Sequence, residues 1–300
     1  MTSVSNSNDA LKYASYLVIA KYREKKGKSP SGLYFNKLMS LTHRTLLEKG
    51  VNIRLPHHWY RYGDQVHIHS MPHNLVWKHE SPAKTTVEWR YEKPILVRDS
   101  TFNLIDETIE HLTNQYAGKE KKLIDEVYNY APFTFQREIL DLRELIYGWR
   151  NAFNWDSKTY KRISKQIILK AFETFPEKDF PELKTQYVIL KNLITVHLEK
   201  ENWDFKLFES ACITFWFSFC YYLRLKKGAS ENIPKETVSH WESTLAFENL
   251  RYRRIMADLI IQASEKNPKI TENKVLAREY NWRLKDLDVA KHLIDEFVLT

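Results

Sequence analysis

The sequence predicts a mainly α protein with a small β element: a winged-helix-like N-terminal domain over residues 1–150 and an all-α helical domain, a bundle, over 151–300. Three observations carry this. Apolar residues recur at helical spacing in the first fifty residues and again from Ser100 onward. Between them, Val51 to Val97 is rich in aromatic and β-branched residues, with Pro56, Pro72, Pro82 and Pro94 as punctuation. Only seven Gly in 300 residues leave little room for tight turns. The length suits two domains, and a hydrophobic content of 43% excludes a disordered chain.

The first helix is expected from Asp9 to about Lys25, ending in a basic run from Lys21 to Lys28 that Gly27 interrupts. Positive side chains suit a helix C-terminus, so part of that run has a local structural reason. Ser29-Pro30-Ser31 opens a second helix to about Lys49, with Phe35, Leu38, Met39, Thr42 and Leu46 on one face and Gly50 as its stop. His58–Tyr62 and Gln65–His69 then flank Gly63-Asp64, which reads as the two-residue turn of a hairpin. Thr85–Tyr91 reads as a further strand. Two helices followed by a hairpin and a strand with basic tips is the outline of a winged helix, the hairpin being the wing.

Later helices are expected over Phe102–Tyr116, Lys119–Tyr130, Phe133–Tyr147, Lys158–Phe175, Glu182–Glu199, Asp204–Lys226, Lys235–Glu265 and Glu272–Phe297. Pro132 and Pro234 fit helix entries, and Thr271 fits an N-cap. The pattern loosens at Gly148–Asp156, which places the domain boundary there. Thr214–Tyr222 is apolar all round, as expected of a helix central to its domain. The run Ala211–Leu223 is shorter than a membrane span requires, so no membrane contact is expected. Cys212 and Cys220 sit about 12 Å apart along one helix, too far to bridge. Two thiols, and a polar Ser/Asn start without a signal-peptide apolar core, suggest a cytoplasmic location.

Charge is unevenly spread. Residues 1–100 hold 16 Lys/Arg against 8 Asp/Glu, whereas the remaining 200 hold 30 of each. A basic first third suits an acidic protein partner or nucleic acid. Several chemical motifs fail on their own terms. Gly27-Lys28-Ser29 resembles the end of a phosphate loop, but Tyr22 stands where the first Gly is needed and Pro30 spoils the helix start. Asp179, Glu182 and Lys184 echo a nuclease triad without its strand. Arg61 and His67 have the spacing of some ribonuclease pairs, but a hairpin turn separates them.

Six of the eleven His fall between His57 and His79. His67 and His69 alternate on an expected strand and could chelate from one face, with His57, His58 or His73 as a third ligand. The spacing fits no zinc template and no nucleophile sits in a recognisable catalytic context, so no metal, cofactor or enzymatic activity is expected, a metal-assisted nuclease built on this segment being the third alternative.

Leu33–Leu41 resembles the second helix of the Panacea (SocA-like) antitoxin domain, Trp59–Val66 its aromatic-x-Tyr-Gly-Pro-Val hairpin, and Leu123–Tyr128 with Phe133–Glu144 its closing helices. Asp64 stands where that family has Pro, and Asp141-Leu142-Arg143-Glu144 departs from its usual ending. The resemblance spans roughly residues 1–145. It implies a non-catalytic accessory or antitoxin-like protein that acts by protein contact in a toxin–antitoxin or defence-type system. Trp59, Tyr60, Arg61 and Tyr62 are then the anchor candidates, because aromatic and Arg side chains dominate binding hot spots. The alternative is a nucleic-acid-binding subunit that contacts phosphate through Lys21, Arg23, Lys25, Lys26, Lys28, Lys37, Arg44, Lys49 and Arg61. The sequence does not fix the oligomeric state.

Overall fold

The first fifty residues form two helices because their apolar residues repeat at helical spacing and a capping serine starts the second. The structure, a computed structural model, describes residues 7–60, 63–81, 84–91, 93–94, 100–151, 158–198 and 205–265. Helix α1 spans Ser7–Lys26 and α2 spans Gly32–Glu48. Ser31 accepts a hydrogen bond from the Tyr34 backbone N–H and caps α2, and the Lys49 N–H closes its far end on Leu46. Strands β1 (His57–Tyr60) and β2 (Gly63–Val66) form one antiparallel pair, and β3 (Leu75–Ser81) and β4 (Lys84–Trp89) another. Helices α3 (Ser100–Tyr116) and α4 (Glu120–Asn129) follow.

The protein is mainly helical with a small two-stranded-sheet element, and it divides into two compact units. Unit 1 is Met1–Pro132 with Leu223–Val238, and unit 2 is Phe133–Tyr222 with Ser239–Thr300. Within unit 1, α2 packs against α1, α3, α4, β2 and β4, and Tyr34, Phe35, Leu38, Met39 and Leu46 along it have no exposure. Segment Leu223–Val238 closes the outer edge of β1: Ala229 bridges His58, and the Ser230 N–H donates to the His57 carbonyl at 2.9 Å.

Unit 2 contains α5 (Thr134–Asn151), α6 (Lys158–Glu173), α7 (Lys184–Leu198), α8 (Phe205–Leu223) and most of α9 (Lys235–Glu265). Its core is aromatic. Phe135, Phe172, Phe175, Phe215 and Phe219 are buried, with Phe135 and Phe219 edge to face at 4.9 Å. The Thr214–Tyr222 stretch is central to this core, with Phe215, Trp216, Phe219, Cys220 and Tyr221 all buried, and Cys212 buried too. No helix among the described residues is long and apolar enough to cross a membrane.

Three expectations need correction. The pattern loosens at Gly148, yet α5 runs through it to Asn151. Unit 1 closes at Pro132 instead of near 150, because Phe135 on α5 belongs to the second aromatic core. The first hairpin turns two residues earlier than Gly63-Asp64. Tyr60 pairs with Gly63 and Trp59 with Asp64, so Gly63 and Asp64 belong to β2, and Arg61 and Tyr62 lie outside the described residues. Finally, His67–Ser70 leaves the strand for a single 3-10 turn, Ile68–Ser70, so His67 and His69 do not share a strand face. Strand β3 was not singled out by its sequence. The helix expected over Glu272–Phe297, with its cap at Thr271, lies outside the described residues.

The aromatic core makes a direct prediction. Phe219→Ala should lower the stability of the full-length protein by about 3–5 kcal/mol in urea melts. Phe247→Ala removes a side chain that is 51% exposed and should change it by less than about 0.5 kcal/mol.

Candidate functional site

The hairpin turns early because its second strand is anchored inward. Gly63 has φ +83, a conformation that disfavours side chains, and a Cβ there would stand 2.7 Å from the Tyr128 ring and 3.3 Å from Lys37 Nζ. Asp64, next along, is 1% exposed. Its carboxylate accepts hydrogen bonds from Ser40 Oγ at 2.5 Å and His57 Nδ1 at 2.8 Å, and its carbonyl accepts one from Lys37 Nζ at 2.6 Å. Burial alone would push the Asp64 carboxyl up. His57, Ser40 and Lys37 outweigh that and hold it below the ordinary carboxylate range. A polar seam thus joins α2 to β2 inside unit 1.

Two imidazoles beside this seam are kept neutral. Burial, with neighbouring positive and imidazole groups adding to it, pushes His43 down to about 4 and His58 down to about 3. His43 packs edge to face on His57 at 5.2 Å, and its Nδ1 has no hydrogen-bond partner among the described residues.

On the outer side of the seam lies a cleft of about 760 Å³ over the first turns of α2. Ser31, Gly32, Leu33, Asn36 and Lys37 of α2 and its cap form one wall. Trp77, His79, Thr85, Thr86 and Glu88 of the β3–β4 hairpin form another, with Gln65 and Ile68 from β2 and the turn after it. Tyr22, Lys28 and Ser29 at the end of α1 and Glu120 at the start of α4 complete it. The hairpin approaches the helix closely because residue 32 is Gly: a Cβ there would meet Trp77 at 3.2 Å and Thr85 at 3.3 Å.

The carboxylates of the cleft are already engaged. Glu120 accepts from Ser31 Oγ at 2.6 Å, and Glu88 pairs with Lys78 at 2.5 Å and Arg23 at 3.8 Å. The hydrogen bond from Lys78 is the main reason that the Glu88 carboxyl lies below its ordinary range. Asn36 is likewise committed, donating to the Gly32 carbonyl and accepting from the Val66 N–H at 3.0 Å. Leu33 and Ile68, 38% and 41% exposed, both line the cleft.

The residues expected to act at the surface are scattered or buried. Trp59 is 3% exposed and stands edge to face with Tyr128, so it is a core residue and not a surface anchor. Tyr60 is half-buried beneath the Arg224 guanidinium, 4.6 Å from the ring centre. Arg61 and Tyr62 lie outside the described residues.

Lys37 is 1% exposed and contacts Asp64, so it cannot reach a phosphate. Lys21 pairs with Glu110 at 2.5 Å, and Arg23 bonds Ser29. Arg44 lies 4.7 Å over the Tyr130 ring, and Lys49 is at the opposite end of α2 from Lys28, about 25 Å away by helical rise. Lys25, Lys26 and Lys28 alone of that set form a compact exposed cluster at the end of α1. α2 itself is buried on most faces, which denies it the exposed face of a DNA-reading helix.

Among the described residues no three His, Cys, Asp or Glu side chains converge on a possible metal position. Asp179, Glu182 and Lys184 lie on a turn, a 3-10 turn and the start of α7, not on a strand. The cleft was missed from sequence because segments far apart along the chain build it from ordinary residues. Ile68, apolar between His67 and His69, is a weak local signal, and Leu33, set beside Tyr34 and Phe35, gives none. No protein-family model matches the chain, and no curated protein or solved structure matches it either.

Two predictions follow from the seam. Gly63→Ala should cost at least about 2 kcal/mol, because it combines a disfavoured φ with a clash against the Tyr128 ring. Acid should also destabilise the protein. His43 and His58 are neutral when folded, and both take up a proton near pH 6.5 once unfolded. Their contribution is complete above about pH 6.5 and is lost as pH falls toward about 4 for His43 and about 3 for His58. Urea melts should show stability falling by up to about 4 kcal/mol between pH 6.5 and 5, with His43→Leu roughly halving the slope.

Proposed function

We propose that the protein is a non-catalytic binding module that holds a segment of another protein in the cleft over the start of α2. The observation that carries this reading is the pair of exposed aliphatic side chains, Leu33 and Ile68, at a cleft whose walls are otherwise largely polar. An apolar patch rimmed by polar groups is the usual surface signature of a protein docking site. The resemblance of the first 145 residues to the Panacea domain gives that binding an antitoxin-like or adaptor sense. In the same reading, α1, α2 and the two hairpins are a winged-helix-like unit in which α2 has become an internal strut. The anchors move accordingly, from the β1–β2 hairpin to Leu33, Ile68 and Trp77.

The nucleic-acid alternative has weaker support. Lys37 is buried, Lys21 and Arg23 are paired, and Lys49 is far from the remaining cluster. Lys25, Lys26 and Lys28 offer three phosphate contacts at most, which would give weak and strongly salt-dependent binding.

The test places a photo-crosslinking residue at position 33, 68 or 247 of the full-length protein in cells. Positions 33 and 68 should yield the same crosslinked polypeptide, position 247 should not, and Leu33→Asp should weaken that partner's affinity at least ~10-fold. Equal crosslinking from position 247, or unchanged affinity on Leu33→Asp, would overturn the reading. A gel-shift that survives Leu33→Asp but is lost on replacing Lys25, Lys26 and Lys28 with Glu would favour nucleic acid.

A further inference from the structure

Resting on the cleft reading, we infer that the segment the cleft receives is acidic: an extended stretch of a partner protein that sets a bulky apolar side chain against Leu33 and Ile68 and presents carboxylates to the end of α1. Both carboxylates of the cleft and the Asn36 carbonyl oxygen are engaged, Glu88 by Lys78, Arg23 and Ser29, Glu120 by Ser31, and Asn36 by Val66. Two donors are not. Among the described residues, the Lys28 ammonium has no carboxylate partner.

Tyr22 is the second. Its side chain is 4% exposed, it lines the cleft, and its hydroxyl makes no hydrogen bond among the described residues. Burial and the nearby Glu120 push that hydroxyl's pKa up, so it remains a donor at neutral pH. A ligand that complements this surface brings acceptors, namely backbone carbonyls and carboxylates.

Charge points the same way. Glu88 lies between two cations, and Glu120 sits at the N-terminus of α2, where a negative charge is already favoured. The helix end is therefore occupied by the protein's own carboxylate, and the inference does not depend on it. The cation that lines the cleft without a carboxylate partner among the described residues is Lys28, and Lys25 and Lys26 are exposed on the preceding turn outside the lining. This is the local form of the excess of 16 cations over 8 acids in the first hundred residues. A nucleic acid would also supply acceptors, and its bases could cover Leu33 and Ile68, but one unpaired lysine in the lining gives its many phosphates little to pair with. An acidic polypeptide with an aliphatic or aromatic side chain satisfies both.

The test exposes the full-length protein to an array of random 12-residue peptides and then measures affinities of the best binders by fluorescence anisotropy. Selected peptides should be enriched in Asp and Glu around a Leu, Ile, Phe or Trp. Their affinity should fall with added salt, drop about 10-fold on Lys28→Glu and be lost on Leu33→Asp. Both substitutions are at exposed positions, so circular dichroism should show an unchanged fold. Peptides that need Leu33 but are neutral or basic would overturn the inferred partner chemistry and leave the cleft reading standing. Binders indifferent to Leu33→Asp, or no binders at all, would overturn both. Displacement of selected peptides by single-stranded RNA, with RNA binding indifferent to Leu33→Asp, would also overturn the inference in favour of a nucleic-acid surface.

Discussion

Unit 1 depends on one buried polar seam, where Lys37 and Ser40 of α2 meet Asp64 of β2. Placing a lysine at 1% exposure and a carboxylate at 1% exposure is costly unless each finds its partners. Here they do. Lys37 donates to the Asp64 carbonyl, Ser40 and His57 satisfy the Asp64 carboxylate, and the strand is locked to the helix in one register. A one-residue slip of β2 would turn Asp64 outward and leave Lys37 facing an apolar core. The seam therefore specifies the fold more than it strengthens it, since an apolar replacement of similar shape could be as stable. The other constraints of the unit follow, including the Gly at position 63 and the two neutral imidazoles beside it.

Most helices were legible because their 3.6-residue periodicity is decided locally. Lys235–Glu265 matched end to end, and α2 was marked by its Ser31 cap and by Gly50. The aromatic stretch of α8 was read as internal because it is apolar all round, and it is. What local pattern could not supply was any feature decided by contacts distant in sequence. Gly63-Asp64 is a strong turn signal in isolation, yet the Tyr128 ring and Lys37 claim both residues for the strand. His-rich spacing suggested a shared face for His67 and His69, but the chain turns after Val66. Lys37 and Trp59 carry the chemistry of phosphate contacts and hot spots, and the same chemistry serves a core once a backbone carbonyl or a second ring is in reach. Residue type indicates what a side chain can do, whereas burial decides which of those things it does.

The site lay further from view than the fold. A cleft assembled from the end of α1, the start of α2, two hairpins and α4 has no contiguous signature in the sequence. The sequence did carry the excess of positive charge in the first third. That excess is largely dispersed: Lys21 is held by Glu110, Arg23 and Lys78 by Glu88, and Arg44 lies over an aromatic ring. Counting charges thus overstated the free basic surface and hid the place where it remains.

The treatment of strand edges bears on how a partner could be recognised. Short antiparallel sheets offer open backbone to any extended chain, and addition of a strand is a common binding mode. In unit 1 three of the four outer edges are in use. Ala229 and Ser230 cover β1, the Asn36 side chain takes the Val66 N–H of β2, and Pro30 and Ser31 bond β4. Strand addition is therefore confined to β3, whose residues Lys78 and His79 are exposed. Charged and polar side chains on an edge strand discourage pairing. Among the described residues the backbone route in unit 1 is thus largely closed, which leaves side chains, those lining the cleft among them, as the surface open to a partner. The contacts that close the edges also build it: Asn36, Ser31 and Thr86 seal backbone groups and line its walls.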